Sequence, residues 1–168
     1  GVGYTTQHIA ALMAKLEAEN MGDRENSLYA SVELSLRRLP EEVRQRVNRL
    51  AVVHGGGHLF VLSEVMGLDN ESVGAVAKML IDIGMAELLD YNYLRLDPAL
   101  PAYLRLGMEQ EEFAQLEGTW AQAMMQLVRF LYEQSSQDSM MANNLTLLEL
   151  PNLLALLDEP AALASFEA

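Results

Sequence analysis

Residues 69–97 decide how this chain is read: Asp69-Asn-Glu-Ser-Val-Gly-Ala-Val-Ala-Lys-Met-Leu-Ile-Asp-Ile-Gly84, then Met85-Ala-Glu-Leu-Leu-Asp-Tyr-Asn-Tyr-Leu-Arg-Leu-Asp97. In the first part Val73, Val76, Leu80 and Ile83 recur at helical spacing, Asp69 or Asn70 can cap the start, and Gly84 closes the end. The second part has two short stretches around the turn-prone pair Tyr91-Asn92, which predicts a β-hairpin.

Working outward, Leu59–Met66 reads as a short helix ended by Gly67. Before it, His54-Gly55-Gly56-Gly57-His58 is expected to be a turn, since each glycine costs a helix about 1 kcal/mol relative to alanine. Pro40 opens another helix, with Glu41 and Glu42 in its first turn and Val43, Val47, Leu50 and Ala51 on its buried side. Over residues 40–97 the order is therefore helix, short helix, turn, helix, β-hairpin, that of a winged helix-turn-helix.

The flanks are helical. Upstream, a helix is expected over about 6–19, and a second, capped by Ser27, carries Leu28, Val32, Leu36 and Leu39. Downstream, Pro98 opens a helix to about Leu106, and Phe113, Leu116, Trp120, Met124, Leu127, Val128 and Leu131 mark a helix of some 25 residues from Glu109. Ser135–Ser139 breaks it, and two helices follow over about 140–157 and 160–167; Pro151 must kink the first or begin its second part. The expected fold class is mainly α: a winged helix-turn-helix with a small β-hairpin, followed by a helical bundle or repeat-like extension. Its segments are a helical lead-in over 1–39, the winged helix over 40–107 and the extension over 108–168.

With 51% hydrophobic and 21% charged residues in 168, the chain has the means to bury a core. Its net charge of −13 is uneven, −3 over residues 1–84 and −10 over 85–168, which argues against a general attraction to phosphate backbones or anionic lipid. With no cysteine there is no disulfide framework, thiol catalysis or thiolate metal site, so a reducing, cytoplasmic setting is expected. The longest apolar run, Leu145–Leu157, is interrupted by Glu149 and Pro151 and falls short of the roughly 20 residues a spanning helix needs. The start GVGYTTQ carries no secretory pattern, and the absence of an initiating methionine reads as a segment of a longer protein.

Few constellations point to chemistry. The helix over 70–83 would be the groove-reading helix of a DNA-binding winged helix, yet it sets Asp69, Glu71 and Asp82 against Lys78 alone, so DNA is not the expected partner. Arg37, Arg38, Arg44, Arg46 and Arg49 lie among Glu33, Glu41 and Glu42 and read as a solvated or internally paired face. No Walker lysine follows the three glycines. His54 and His58, spaced i, i+4 across glycines and without a third ligand, read as structural turn histidines. Glu111-Glu112 suits a helix start and Asp158-Glu159 a solvated loop. Met124, Met125, Met140 and Met141 are expected to fill a core, and Trp120 to anchor helices together. No catalytic residue, metal site or small-molecule substrate is identified.

Ser27-Leu-Tyr-Ala-Ser-Val-Glu-Leu-Ser-Leu-Arg-Arg-Leu-Pro40, followed by Arg49-Leu-Ala-Val-Val-His-Gly-Gly56, resembles the start of the winged-helix region of NB-ARC-type STAND ATPases, where "L-x-x-L-P" leads into "L-A-V-F-x-G-G-F". Val76–Ala86 is similar to that family's "L-x-x-L-x-x-x-G-L-I/V", and Tyr93–Leu104 to its "Y-R-L-H-P-L-L-R-E-Y-L". Leu148-Glu-Leu-Pro-Asn-Leu-Leu-Ala-Leu-Leu157 is similar to the "E-x-x-N-L-x-A-A-L" that precedes tetratricopeptide-type repeats. The resemblance spans about 27–157. It implies a non-catalytic regulatory and protein-interaction segment of a signalling ATPase, whose partners are an intramolecular NTPase core and a C-terminal repeat sensor. ATP or ADP would belong to the full-length parent, and none to this segment. Asp97 stands where the family has a histidine that touches the β-phosphate of ADP, and a carboxylate there repels phosphate. The alternative is a winged-helix DNA-binding transcriptional regulator.

Overall fold

A computed structural model describes residues 9–11, which are helical, and residues 23–159. The helices expected over about 6–19 and 160–167 otherwise lie outside the described residues. The helices are α1 (Asp23–Leu36), α2 (Glu41–Val47), α3 (Leu59–Met66), α4 (Asn70–Asp82), α5 (Ala99–Leu106), α6 (Gln110–Gln134), α7 (Ser139–Leu148) and α8 (Leu150–Leu157). A 3-10 turn over Asn48–Val52 extends α2. Three short strands, β1 (Gly56–His58), β2 (Ala86–Leu88) and β3 (Tyr93–Leu96), form an antiparallel sheet in the order β1-β3-β2. The fold is mainly α, and residues 41–96 form a winged helix whose hairpin is the wing.

Local chemistry explains most boundaries. Asp69 accepts the Ser72 N–H at 2.7 Å and starts α4; Gly67, with φ 67°, ends α3 in the left-handed conformation that glycine adopts without a Cβ penalty. Tyr91 and Asn92, at φ 61° and 58°, supply the wing's left-handed turn where the sequence places it. Pro151 falls in the first turn of α8, where its missing N–H costs nothing, so the expected long helix divides at Glu149.

Three expectations need correction. Gly56–His58 is a strand and not part of a turn: Gly56 lies opposite Arg95 and His58 opposite Tyr93, an antiparallel register that a glycine run cannot announce by side-chain pattern. Ser27 is interior to α1 and is not its cap, Leu28 is half exposed, and the buried apolar residues of α1 are Ala30, Val32 and Leu36. Met140 lies exposed in the first turn of α7, whereas Met124 is buried and Met125 and Met141 pack against the core.

One hydrophobic cluster runs without a break from Val32 and Leu36 on α1, through Leu50, Leu62, Leu80 and Leu94, to Trp120, Met124, Leu145 and Leu156. The long helix α6 packs along α3 and the 3-10 turn, and α7 and α8 fold back onto it. The extension therefore shares the core of the winged helix. Trp120 is buried at its centre, as its register with Leu116 and Met124 requires.

The lead-in is pinned by a polar cluster. The buried Glu33 carboxylate on α1 accepts from Arg37 Nε at 2.5 Å, from Arg44 Nη2 on α2 at 2.7 Å, and from the Tyr103 hydroxyl on α5. Burial pushes the Glu33 pKa up, but these donors prevail and hold it below its ordinary 4.5, while burial and the carboxylate push the Tyr103 hydroxyl up. With the folded value depressed, this stability is present above the ordinary glutamate range and is lost as pH falls through the lowered value. Glu33→Gln should flatten the acid limb of a stability-versus-pH curve followed by urea unfolding; an unchanged limb would show that the cluster does not couple to folding.

Candidate functional site

The buried polar residues that stand out lie where the C-terminal helices meet β1. Glu149, at the break between α7 and α8, and Asn152, in the first turn of α8, are polar residues in an apolar run, and both are fully buried. The helix break turns both side chains onto the backbone of residues 54–58. Asn152 Oδ1 accepts the His54 N–H at 2.9 Å, and its Nδ2 donates to the Gly56 carbonyl at 2.8 Å and to Glu149 Oε2 at 3.1 Å. Glu149 Oε1 accepts the His58 N–H at 2.6 Å. All four polar side-chain atoms of the pair are thus engaged, and the clamp satisfies backbone groups that a three-residue strand leaves over.

The surroundings are apolar enough to shift titrations. Burial raises the Glu149 carboxyl above its ordinary range, outweighing the hydrogen bonds it accepts from His58 and Asn152. Tyr93, paired with His58 across the sheet, is pushed up to about 12 by burial and by the nearby Glu149. Burial lowers both histidines, and the Arg105 charge lowers His54 further. His58 Nδ1 accepts the Phe60 N–H at 3.1 Å and caps α3, which assigns the proton of the neutral ring to Nε2. The His54 ring packs 5.5 Å from Trp120. Both histidines are used in building the junction.

Asp97 lies at the end of β3, half buried, with Oδ1 accepting the Ala99 N–H at 2.9 Å at the start of α5. Its carboxylate is therefore committed to a helix start, and its negative charge does not fit a phosphate. Asp97→Ala should lower stability by about 1 kcal/mol in thermal or urea unfolding, a loss that ADP at millimolar concentration leaves unchanged.

The arginines read from the sequence separate into roles. Arg37 and Arg44 pair with Glu33, and Arg46 donates to the Met66 carbonyl at 3.1 Å. On α4 the charged residues are Glu71, Lys78 and Asp82, all exposed. Among the described residues no group of three or more His, Cys, Asp or Glu side chains could hold a metal ion, and no helix is long and apolar enough to cross a membrane.

The sequence brings residues 54–58 and 148–157 into view as separate motifs, and the structure joins them through Glu149 and Asn152. No role attaches to that pair in the sequence reading. The available signal was the i, i+3 spacing of two polar residues inside Leu145–Leu157, a run too apolar to carry them without buried partners. Comparison with known proteins finds no family model, curated protein or solved structure that matches this chain.

Proposed function

We propose that this chain is a non-catalytic regulatory and protein-interaction segment of a STAND-type signalling ATPase, in which the winged helix passes the state of a C-terminal helical sensor to an NTPase core. The observation that carries this reading is the buried Glu149–Asn152 clamp on the backbone of residues 54–58. A rigid, fully satisfied junction between two helical units transmits a displacement, whereas a solvated linker absorbs it. It joins two of the segments whose sequences resemble that family's. Asp97, acting as a helix cap, has no nucleotide role in this reading.

The expected result is no ATP turnover and no ADP binding by isothermal titration with the whole chain, because it carries no Walker lysine motif. Measurable turnover or micromolar ADP affinity would overturn the proposal. The winged-helix order also favours a second reading, a DNA-binding regulator. It predicts salt-dependent binding of a labelled duplex, which an anisotropy titration at low salt decides, and the acidic balance on α4 supports the first reading over it.

A further inference from the structure

A groove of about 610 Å³ lies between the wing and α7, walled by Leu88 and Leu89 on one side and Leu147 and Leu148 on the other, with Asp90 and Tyr91 at its wing edge. Tyr91 accepts from Asn144 Nδ2 at 3.2 Å, bridging wing to helix. Beyond the groove, Leu150, Leu154 and Leu157 recur at helical spacing along α8 and, like Leu147 on α7, are exposed, Leu147 at 68% and Leu154 at 56%. Exposed leucines gathered on two consecutive helices beside an apolar groove are a mark of an interaction surface.

Charge says what fits it. The helices α7 and α8 bear no basic residue; the charges from 138 to 159 are Asp138, the buried Glu149, Asp158 and Glu159, and the wing adds Asp90 at the groove, while its Glu87 and Arg95 pair with each other at 3.8 Å and do not line it. The groove is thus lined by leucines with the Asp90 carboxylate at its edge, and the surface charges at the ends of the two helices beside it, Asp138, Asp158 and Glu159, are all acidic. An acidic helix would be repelled from it, while a helix with an apolar stripe and flanking Lys or Arg would meet apolar surface along its stripe and carboxylates at its edges. We infer that the face formed by the wing, α7 and α8 is the docking site of a cationic amphipathic helix. This names a surface and a partner chemistry beyond the regulatory reading, and it rests on α7, α8 and the wing alone, so it stands or falls apart from any link to an ATPase.

The test uses the whole chain and a fluorescein-labelled 18-residue synthetic helix of leucine and lysine at heptad spacing, followed by anisotropy at physiological salt, with a leucine–glutamate helix as counterpart. The lysine helix is expected to bind and the glutamate helix not. Leu147→Glu and Leu154→Glu, both at exposed positions that the fold tolerates, should each weaken binding about tenfold or more, and Asp90→Lys by about three- to tenfold. Glu42→Lys, which makes the same charge change on α2 outside the groove, should leave affinity unchanged. The inference is overturned by no binding of the lysine helix, by equal binding of both helices, by wild-type affinity in Leu147→Glu, or by a loss in Glu42→Lys matching that in Asp90→Lys, which would mean attraction to the chain's overall charge. Concentration-dependent dimerisation that Leu147→Glu abolishes would equally overturn it, assigning the face to a second copy.

Discussion

Asn152→Ala should destabilise the folded chain by about 2–4 kcal/mol in urea unfolding, one of the two largest effects expected here. The substitution leaves the His54 N–H and the Gly56 carbonyl without partners at a fully buried site, and it removes the donor that faces Glu149 Oε2. Unsatisfied groups of this kind cost more than the net value of the bonds they made. Two companion substitutions separate the contributions. Asn152→Asp keeps the volume and the acceptor for His54 but sets a second carboxyl beside Glu149, so its penalty should grow as pH rises through the carboxylate range. Glu149→Gln keeps an acceptor for the His58 N–H and should cost less than Asn152→Ala. Hydrogen exchange at the His54 and His58 amides reads the clamp directly: it should accelerate in Asn152→Ala well beyond exchange in α4. A loss under 1 kcal/mol with unchanged exchange would mean that the C-terminal helices are held by apolar packing alone.

Gly56→Ala attacks the same junction from the other side and should cost about 3 kcal/mol or more, or prevent the sheet from forming. A Cβ at Gly56 would lie 2.2 Å from the Leu94 carbonyl oxygen and 3.0 Å from Arg95 Cα, and the residue sits at φ 147°, where side chains are strained. Both obstacles are backbone atoms of β3, so relief requires β1 to leave the sheet. That in turn withdraws the Gly56 carbonyl from Asn152. Gly57→Ala is the control, because its nearest obstacle is the tip of the Leu62 side chain at 3.0 Å, which can rotate aside. Thermal melts should rank Gly57→Ala well above Gly56→Ala, and equal melting temperatures would refute the close approach of the two strands.

Most of the helical framework was legible because it is written locally. Asp69 and Gly67 set the ends of α4 and α3, the apolar spacing of Leu116, Trp120 and Met124 marks α6, and Tyr91-Asn92 sits where the wing reverses. Strand β1 was not legible: Gly56 and Gly57 have no side-chain alternation, and the strand exists through its pairing with β3 some 40 residues away. Met140 misled because helical register says which residues share a face, and only the neighbours say whether that face is covered. Ser27 misled because a capping residue costs a helix interior only about 0.5 kcal/mol, too little to keep it out of a helix that has already begun.

The sequence alone therefore determined the order of the helices and the hairpin from Pro40 to Asp97, the winged helix they indicate, and the acidic, cysteine-free character that limits its chemistry. These follow from capping, periodicity and charge, which act within a few residues or over the chain as a whole. The tertiary structure alone decided that Glu149 and Asn152 close on the backbone of residues 54–58, that the extension shares one core with the winged helix, and that Leu147 and Leu154 face outward. Each of these depends on which distant groups meet once the chain has packed. The cost of a buried carboxylate, amide or carbonyl is set by those partners and not by its neighbours in sequence.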